Sequence, residues 1–242
     1  MIEALQGKTA LITGATSGIG RAIAQQLSAA GVRAIASGRR TDRLEALVAE
    51  LGDGARAITT DLRDRDSIDA MFDGIDELDI LINCAGIAPK APILSGSFDD
   101  FSELLQVNVL ALTYCAQLAV RRFGDSGGQI VNVSSMSGHR VPPSGGFYAP
   151  TKFAVRAVTD SLRYELKATG SKTRVACISP GFGDTPLLDG YFKGSEDRLE
   201  SLKSEMRMLH PRDVAASVLH ILQTPDHVEV GDILLRPSDQ SV

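Results

Sequence analysis

The sequence is short of several things, and each shortage narrows what the chain does. Cysteine is scarce: Cys84, Cys115 and Cys177 are odd in number and far apart. That is neither a disulfide framework nor a zinc-ligand spacing, and three free thiols suit a reducing, cytoplasmic setting. A basic excess is missing as well. The formal net charge is -5, which argues against a nucleic-acid partner. No unbroken apolar run reaches the roughly 18 residues that suggest a membrane span. Residues 1–8 lack the basic-then-apolar pattern of a leader segment. No internal repeat, low-complexity tract or Pro/Ser linker divides the 242 residues, so one domain over 1–242 is expected.

What is present is an alternation of two textures. Short β-rich runs fall at 9–12, 34–37, 55–59, 78–82, 129–133, 173–178 and 233–235. Segments of helical period lie between them, at 19–30, 42–51, 67–72, 101–123, 155–167 and 211–222. Strand then helix, repeated, predicts an α/β fold: a doubly wound, Rossmann-type parallel sheet of about seven strands with helices on both faces. The runs "ALIT", "DILI" and "IVNV" are nearly all apolar, as parallel strands buried on both faces are. Residues 181–210 break the rhythm. They are too long for a plain connection and read as a substrate lid with short helices.

"TALITGATSGIGRAIAQQL" is a strand, a glycine turn and a helix, with Gly14, Gly18 and Gly20 in the turn. Glycine removes side chains where a pyrophosphate must approach backbone, and the helix start offers free N–H groups and a positive dipole end. A tight turn without a ligand is the alternative. The second strand ends "IASGRRTDRL", without the acid that usually selects NAD. Arg39 and Arg40 suit a 2′-phosphate, so NADP(H) is favoured over NAD(H). The alternative is two solvated charges at a helix start.

Farther on, a strand ends in Ser134 and Ser135, and "FYAPTK" places Tyr148 one helical turn before Lys152. Delivering hydride to a carbonyl creates an alkoxide that needs a proton. A phenol with an ordinary pKa of about 10 ionises poorly at neutral pH, and a nearby ammonium lowers that value. A serine hydroxyl steadies the same substrate oxygen. Pro150 fits if Tyr148 lies in the first turn, where a missing N–H has no intrahelical partner.

Glycine loop, serine strand and Tyr/Lys helix occur in that order, and with them the sequence resembles the short-chain dehydrogenase/reductase family along essentially its whole length. The matching stretches are "TGATSGIG" at 13–20, "DL" at 61–62, "NCAG" at 83–86, "VN" at 107–108, "SS" at 134–135, "YAPTK" at 148–152 and "PGFGDT" at 180–185. The tail "VEVGDILLRPSDQSV" is similar to a branch with carbonyl reductases and serine or 3-hydroxy-acid dehydrogenases. The resemblance implies Tyr148 as general acid/base, with Lys152 lowering its pKa and holding the nicotinamide ribose. It implies Ser135, rather than Ser134, as the residue that orients the substrate oxygen, and Asn108 as part of a water relay to Lys152. The cofactor is expected on Gly14, Thr16, Ser17, Gly18, Ile19, Gly20, Arg39 and Arg40. Asp61 and Leu62 lie at the adenine, with Asn83, Cys84, Ala85 and Gly86 beyond. Pro180, Gly181 and Thr185 line the nicotinamide end. The resemblance also implies dimers or tetramers paired through the long fifth and sixth helices.

Two departures from the family pattern stand out. Cys84 occupies an asparagine position and is either an inert buried thiol or a redox sensor. Gly183 replaces an apolar residue, which is expected to loosen the nicotinamide loop. Substrate walls are expected from 86–96, 136–147 and the lid. Apolar wall candidates are Met136, Phe147, Phe182, Leu187, Leu188, Tyr191 and Phe192; His139, Arg140, Lys90 and Lys193 are candidates to meet an acid group. A small carbonyl/alcohol substrate is expected, with a 3-hydroxy acid or semialdehyde kept open. A nucleotide-sensing regulator and an epimerase or dehydratase holding its cofactor remain alternatives.

Overall fold

Leu11 and Ile12 are neighbours in sequence but serve different cores. Side chains alternate across a strand, so Ile12 packs with Ile23, Leu27, Leu44 and Val218, while Leu11 packs with Met71, Phe72, Cys115 and Phe123. Both residues are fully buried, the signature of a strand covered on both faces. The structure, a computed structural model, describes residues 5–143 and 145–240. Residues 1–4, 144, 241 and 242 lie outside these, including one position of the expected wall 136–147 and the end of the tail.

The strands are β1 (Thr9–Thr13), β2 (Arg33–Gly38), β3 (Arg56–Thr59), β4 (Ile80–Asn83), β5 (Gln129–Val133), β6 (Arg174–Pro180) and β7 (Asp232–Leu235). All pair in parallel, in the order β3-β2-β1-β4-β5-β6-β7. The helices are α1 (Gly18–Ala29), α2 (Thr41–Leu51), α3 (Arg65–Asp73), α4 (Phe98–Leu105), α5 (Leu112–Phe123), α6 (Tyr148–Ala168), α7 (Leu187–Tyr191), α8 (Glu196–Glu205) and α9 (Pro211–Leu222). This is the expected Rossmann-type architecture. Strand order reverses direction between β1 and β4, and the carboxyl ends of the strands at such a point form a crevice.

Helix boundaries differ from the expected ones for identifiable reasons. The helix expected at 101–123 begins at Phe98, because Ser97 Oγ accepts from Asp100 N at 3.0 Å and Asp99 and Asp100 complement the helix dipole. α4 and α5 are joined by a π-helical turn at Gln106–Ala111. Phe98–Ser126 is therefore one helical run, long and apolar enough to cross a membrane by length and composition. Its Glu103, Gln106, Asn108 and Gln117 interrupt the apolar sequence, and its Ala111, Cys115, Ala119 and Phe123 pack into the core beside Leu11 and Leu81. The helix expected at 155–167 begins at Tyr148 itself. Pro150 is its third residue, inside the turn whose backbone needs no N–H donor.

Residues 181–210 hold α7 and α8 around their own small core of Leu188, Phe192 and Leu199. Gly183 pairs with Leu209 in a parallel bridge, flanked by bonds from Asp184 N to Leu209 O and from Leu209 N to Phe182 O, both 2.9 Å. The segment is thus tied at its two ends to itself.

Candidate active site

A single cleft of about 1290 Å³ runs along the carboxyl ends of the strands. The glycine loop lines one end, Ser135, Tyr148 and Lys152 the middle, and Phe182, Leu188, Tyr191 and Phe192 of the lid the other. Its volume exceeds the roughly 300–1,000 Å³ of an ordinary small-ligand site, which leaves room for a long ligand and a second, smaller one.

At the first end, packing dictates glycine. Gly14 has φ +70°, and a Cβ there would lie 2.7 Å from Ala85 Cα. A Cβ on Gly20 would lie 2.5 Å from Gly14 O. The loop and the start of α1 are therefore pressed together with bare backbone toward the cleft. Ser17, the N-cap residue of α1, makes no side-chain bond to its own helix. Its hydroxyl instead accepts from Arg40 Nη2 at 2.9 Å, and Arg40 also donates to Thr16 Oγ1. Partial burial and the neighbouring Arg43 hold Arg40 below its ordinary pKa. Arg39 is exposed on the same rim. The only carboxylate the expected contact set brings here, Asp61, is bound by Arg63 at 3.0 Å and 3.1 Å, which lowers its pKa to about 2. This end of the cleft is thus a cationic rim. Leu62, Thr16, Ser17, Gly18, Ile19, Ala85 and Gly86 all line it or its continuation.

Thr13 is a residue the sequence reading passed over. Its Oγ1 accepts from Cys84 N at 3.1 Å and Ala85 N at 3.2 Å, fixing the end of β4 against the glycine loop. In the sequence it looks like one more β-branched strand residue, and only the chain's return at β4 gives it a partner.

At the centre, Lys152 follows Tyr148 by one turn of α6, and both are buried. Lys152 Nζ donates to Val133 O at 3.0 Å and lies 5.7 Å from the centre of the Tyr148 ring. Burial lowers the Lys152 pKa to about 8. Burial also raises the Tyr148 phenol above its ordinary value, with a hydrogen bond from Ser135 opposing and Tyr191 adding to the rise. Burial, which disfavours the charged form of each group, is the leading cause of both shifts. Tyr191 meets Tyr148 edge to face, 5.8 Å between ring centres.

Asn108 sits in the π-turn, fully buried. Its Oδ1 accepts from Ile87 N at 2.9 Å, and its Nδ2 donates to Ile87 O at 3.0 Å and to Thr151 Oγ1 at 3.1 Å. It therefore ties the 84–87 loop to α6 between Tyr148 and Lys152. Gly86 fits between the two ends of this arrangement: a Cβ on it would lie 3.4 Å from Asn108 Oδ1 and 3.5 Å from Lys152 Nζ. Pro180, Gly181 and Thr185 line the far wall.

Four expected site residues are placed elsewhere. Lys90 is exposed beside Gly194, outside the cleft lining. Asn83 is turned from the cleft and donates to Leu112 O and Asn132 Oδ1 in the interior. Phe147 packs on Phe101, 4.7 Å between ring centres, rather than on the cleft. His139 is held by Ser179 Oγ at 2.9 Å, beside Asp232. Arg140 and Lys193 do line the cleft, and Arg198 joins them.

The family model described as short chain dehydrogenase matches residues 8–196. This chain belongs to the short-chain dehydrogenase/reductase family. It is 37% identical to "Dehydrogenase/reductase SDR family member 11" of Bos taurus over 253 aligned residues, covering 99% of both chains. Among solved structures, a closed form of serine dehydrogenase complexed with NADP+ superimposes with a TM-score of 0.91 at 31% identity, covering 97% of this chain and 96% of that one. A 3-ketoacyl-(acyl-carrier-protein) reductase from Brucella melitensis complexed with NADH gives 0.84 at 28% identity, covering 96% and 98%. Within this short-chain dehydrogenase/reductase, both departures, Cys84 and Gly183, line the cleft. Burial pushes the Cys84 thiol up to about 12, so it is a neutral wall atom and a poor nucleophile.

Proposed function

We propose that this chain is an NADP(H)-dependent oxidoreductase that interconverts an aldehyde or ketone with the corresponding alcohol, with Tyr148 as the proton donor and acceptor. The observation that carries this reading is the single cleft joining a bare-backbone glycine loop, a cationic rim and the Ser135–Tyr148–Lys152 cluster. The loop and rim fit a phosphorylated dinucleotide: Gly14 and Gly20 leave no side chain where its pyrophosphate approaches, and α1 begins there. Arg39 and Arg40 then hold the 2′-phosphate, Asp61 and Leu62 flank the adenine, and Pro180, Gly181 and Thr185 close on the nicotinamide end. A bound nicotinamide supplies or accepts the hydride at the carbonyl carbon. Ser135 orients the substrate oxygen, Tyr148 delivers the proton to it, and Lys152 provides positive charge behind the phenol.

The serine dehydrogenase complex with NADP+ supports the phosphate-bearing cofactor, and the absence of an acid at the end of β2 supports it independently. Replacing Arg39 and Arg40 together by Ala is expected to raise the Michaelis constant for NADPH by roughly 10- to 100-fold, as for lost charge-assisted bonds of about 1.5–3 kcal/mol. The constant for NADH is expected to change little. Equal effects on both cofactors would sink the phosphate assignment.

A second reading for the substrate is a small hydroxy acid, favoured by Arg140, Lys193 and Arg198 along the substrate end of the cleft. A panel of aldehydes, ketones, secondary alcohols and 3-hydroxy acids, followed by cofactor absorbance with NADP(H) and NAD(H) in parallel, tests cofactor and substrate class together. No turnover with any member would remove the oxidoreductase reading. We further propose a homo-oligomer, because Phe98, Leu110, Phe153 and Tyr164 are exposed on the long fifth-helix run and α6, and a cytoplasmic setting, which suits the free thiols of Cys84, Cys115 and Cys177. Light scattering after size exclusion is expected to give a dimer or tetramer mass, and Tyr164→Glu to shift it toward the monomer.

A further inference from the structure

We propose that Ser134 is a positioning residue for Lys152, so that the two adjacent serines at the end of β5 divide the work: Ser135 serves Tyr148, and Ser134 fixes the lysine. This rests on the reading of Tyr148 and Lys152 as the proton-transfer pair. Two consecutive residues grip Lys152. Val133 O accepts from Lys152 Nζ at 3.0 Å. Ser134 Oγ donates to Lys152 O at 2.9 Å. Ser135, the next residue, lines the same cleft as Tyr148. Lys152 is therefore held at both its side-chain and its main-chain end by one short stretch of strand.

The Ser134 bond is not needed by the helix. An interior carbonyl of an α-helix already receives the N–H four residues on, so the hydroxyl adds a tertiary tie to a satisfied group. The approach is also guarded. A Cβ on Gly138 would lie 2.6 Å from Lys152 O and 2.7 Å from Ser134 Oγ, so the following turn can close over this contact only with glycine there. Ser134 N meanwhile donates to Ile178 O at 2.8 Å, which anchors the residue to β6. The grip is thus referred to the sheet, the most rigid part of the molecule, and from there to the lysine.

The experiment compares Ser134→Ala and Ser134→Thr with the parent chain. Turnover is measured against pH, and the titration of Lys152 is followed in ligand-free protein by NMR of 13C-labelled lysine. Ser134→Ala is expected to lower kcat by about 10-fold, as small misplacements of catalytic groups do. The Lys152 midpoint is expected to move upward by about half a unit or more as the amine gains freedom to reach water. Ser134→Thr keeps the hydroxyl and is expected to restore both. If Ser134→Ala does not fold, Gly138→Ala crowds the same contact and is expected to give the same two changes. A loss of thermal stability with kcat and the Lys152 titration unchanged would overturn the proposal, leaving Ser134 as a satisfied buried hydroxyl. Tyr148→Phe is assayed alongside; full turnover in that variant removes the proton-transfer reading itself, whatever Ser134 does.

Discussion

Tyr148→Phe is expected to lower kcat by at least ~10³-fold, within the range attributed to a positioned acid/base group. The fold is expected to survive, since phenylalanine keeps the ring that packs edge to face on Tyr191. Cofactor affinity, measured by fluorescence or calorimetry, is expected to stay within about twofold, because the proposed dinucleotide contacts lie mainly on other elements. The raised phenol pKa gives the reaction a direction in pH. At neutral pH the buried phenol carries its proton, so reduction of a carbonyl, which consumes that proton, is expected to be flat through neutrality. Alcohol oxidation needs the proton to leave and is expected to rise with pH. A variant that turns over normally would move the proton donor elsewhere in the cleft.

Lys152→Met is expected to lower turnover by at least ~10²-fold and yet to raise the stability of the ligand-free protein. The sign follows from burial. In the folded chain the Lys152 pKa falls from 10.5 to about 8, so the unfolded chain binds the proton more tightly. Charging this buried amine therefore costs stability in full below about pH 8, and the cost disappears as pH rises toward the unfolded value. The shift corresponds to about 3 kcal/mol, reduced in the variant by the lost bond to Val133 O, which is worth about 1 kcal/mol. Urea denaturation near pH 6.5 is expected to show the gain, and denaturation near pH 10 to show little of it. Equal stability at both pH values would mean that the amine is hydrated in the apo cleft.

A stabilising loss-of-function substitution is what a strained site predicts. On that expectation, Lys152 is retained for its place in the cleft at a cost to the fold. The same logic explains Asn108. A π-turn interrupts the regular ladder of the long helix there, and such turns are common at functional sites. Its side chain couples the loop after β4 to the first turn of α6 through Ile87 and Thr151.

Most of the architecture was legible from periodicity alone. The seven strands lie where short apolar runs lie, because a parallel strand buried on both faces admits little else. The glycines at 14, 18 and 20 and the Tyr148/Lys152 spacing were legible for the same reason: each demands a particular residue type at a particular distance along the chain. Pro150 also marked the first turn of α6, but the start at Phe98 was missed, since Ser97 acts through a cap that periodicity does not weigh.

Residue pattern alone was enough for the family, the parallel sheet and most of the residues that line the cleft. Tertiary structure decided what each of them faces. Asn83 turned inward to Asn132, Phe147 joined Phe101, and Thr13 and Ser134 acquired partners about seventy and eighteen residues away. It also set how deeply the central pair is buried. Spacing along α6 says that a phenol and an ammonium are close, but a pKa depends on the water around both groups. That is set by the elements which the rest of the chain folds over them.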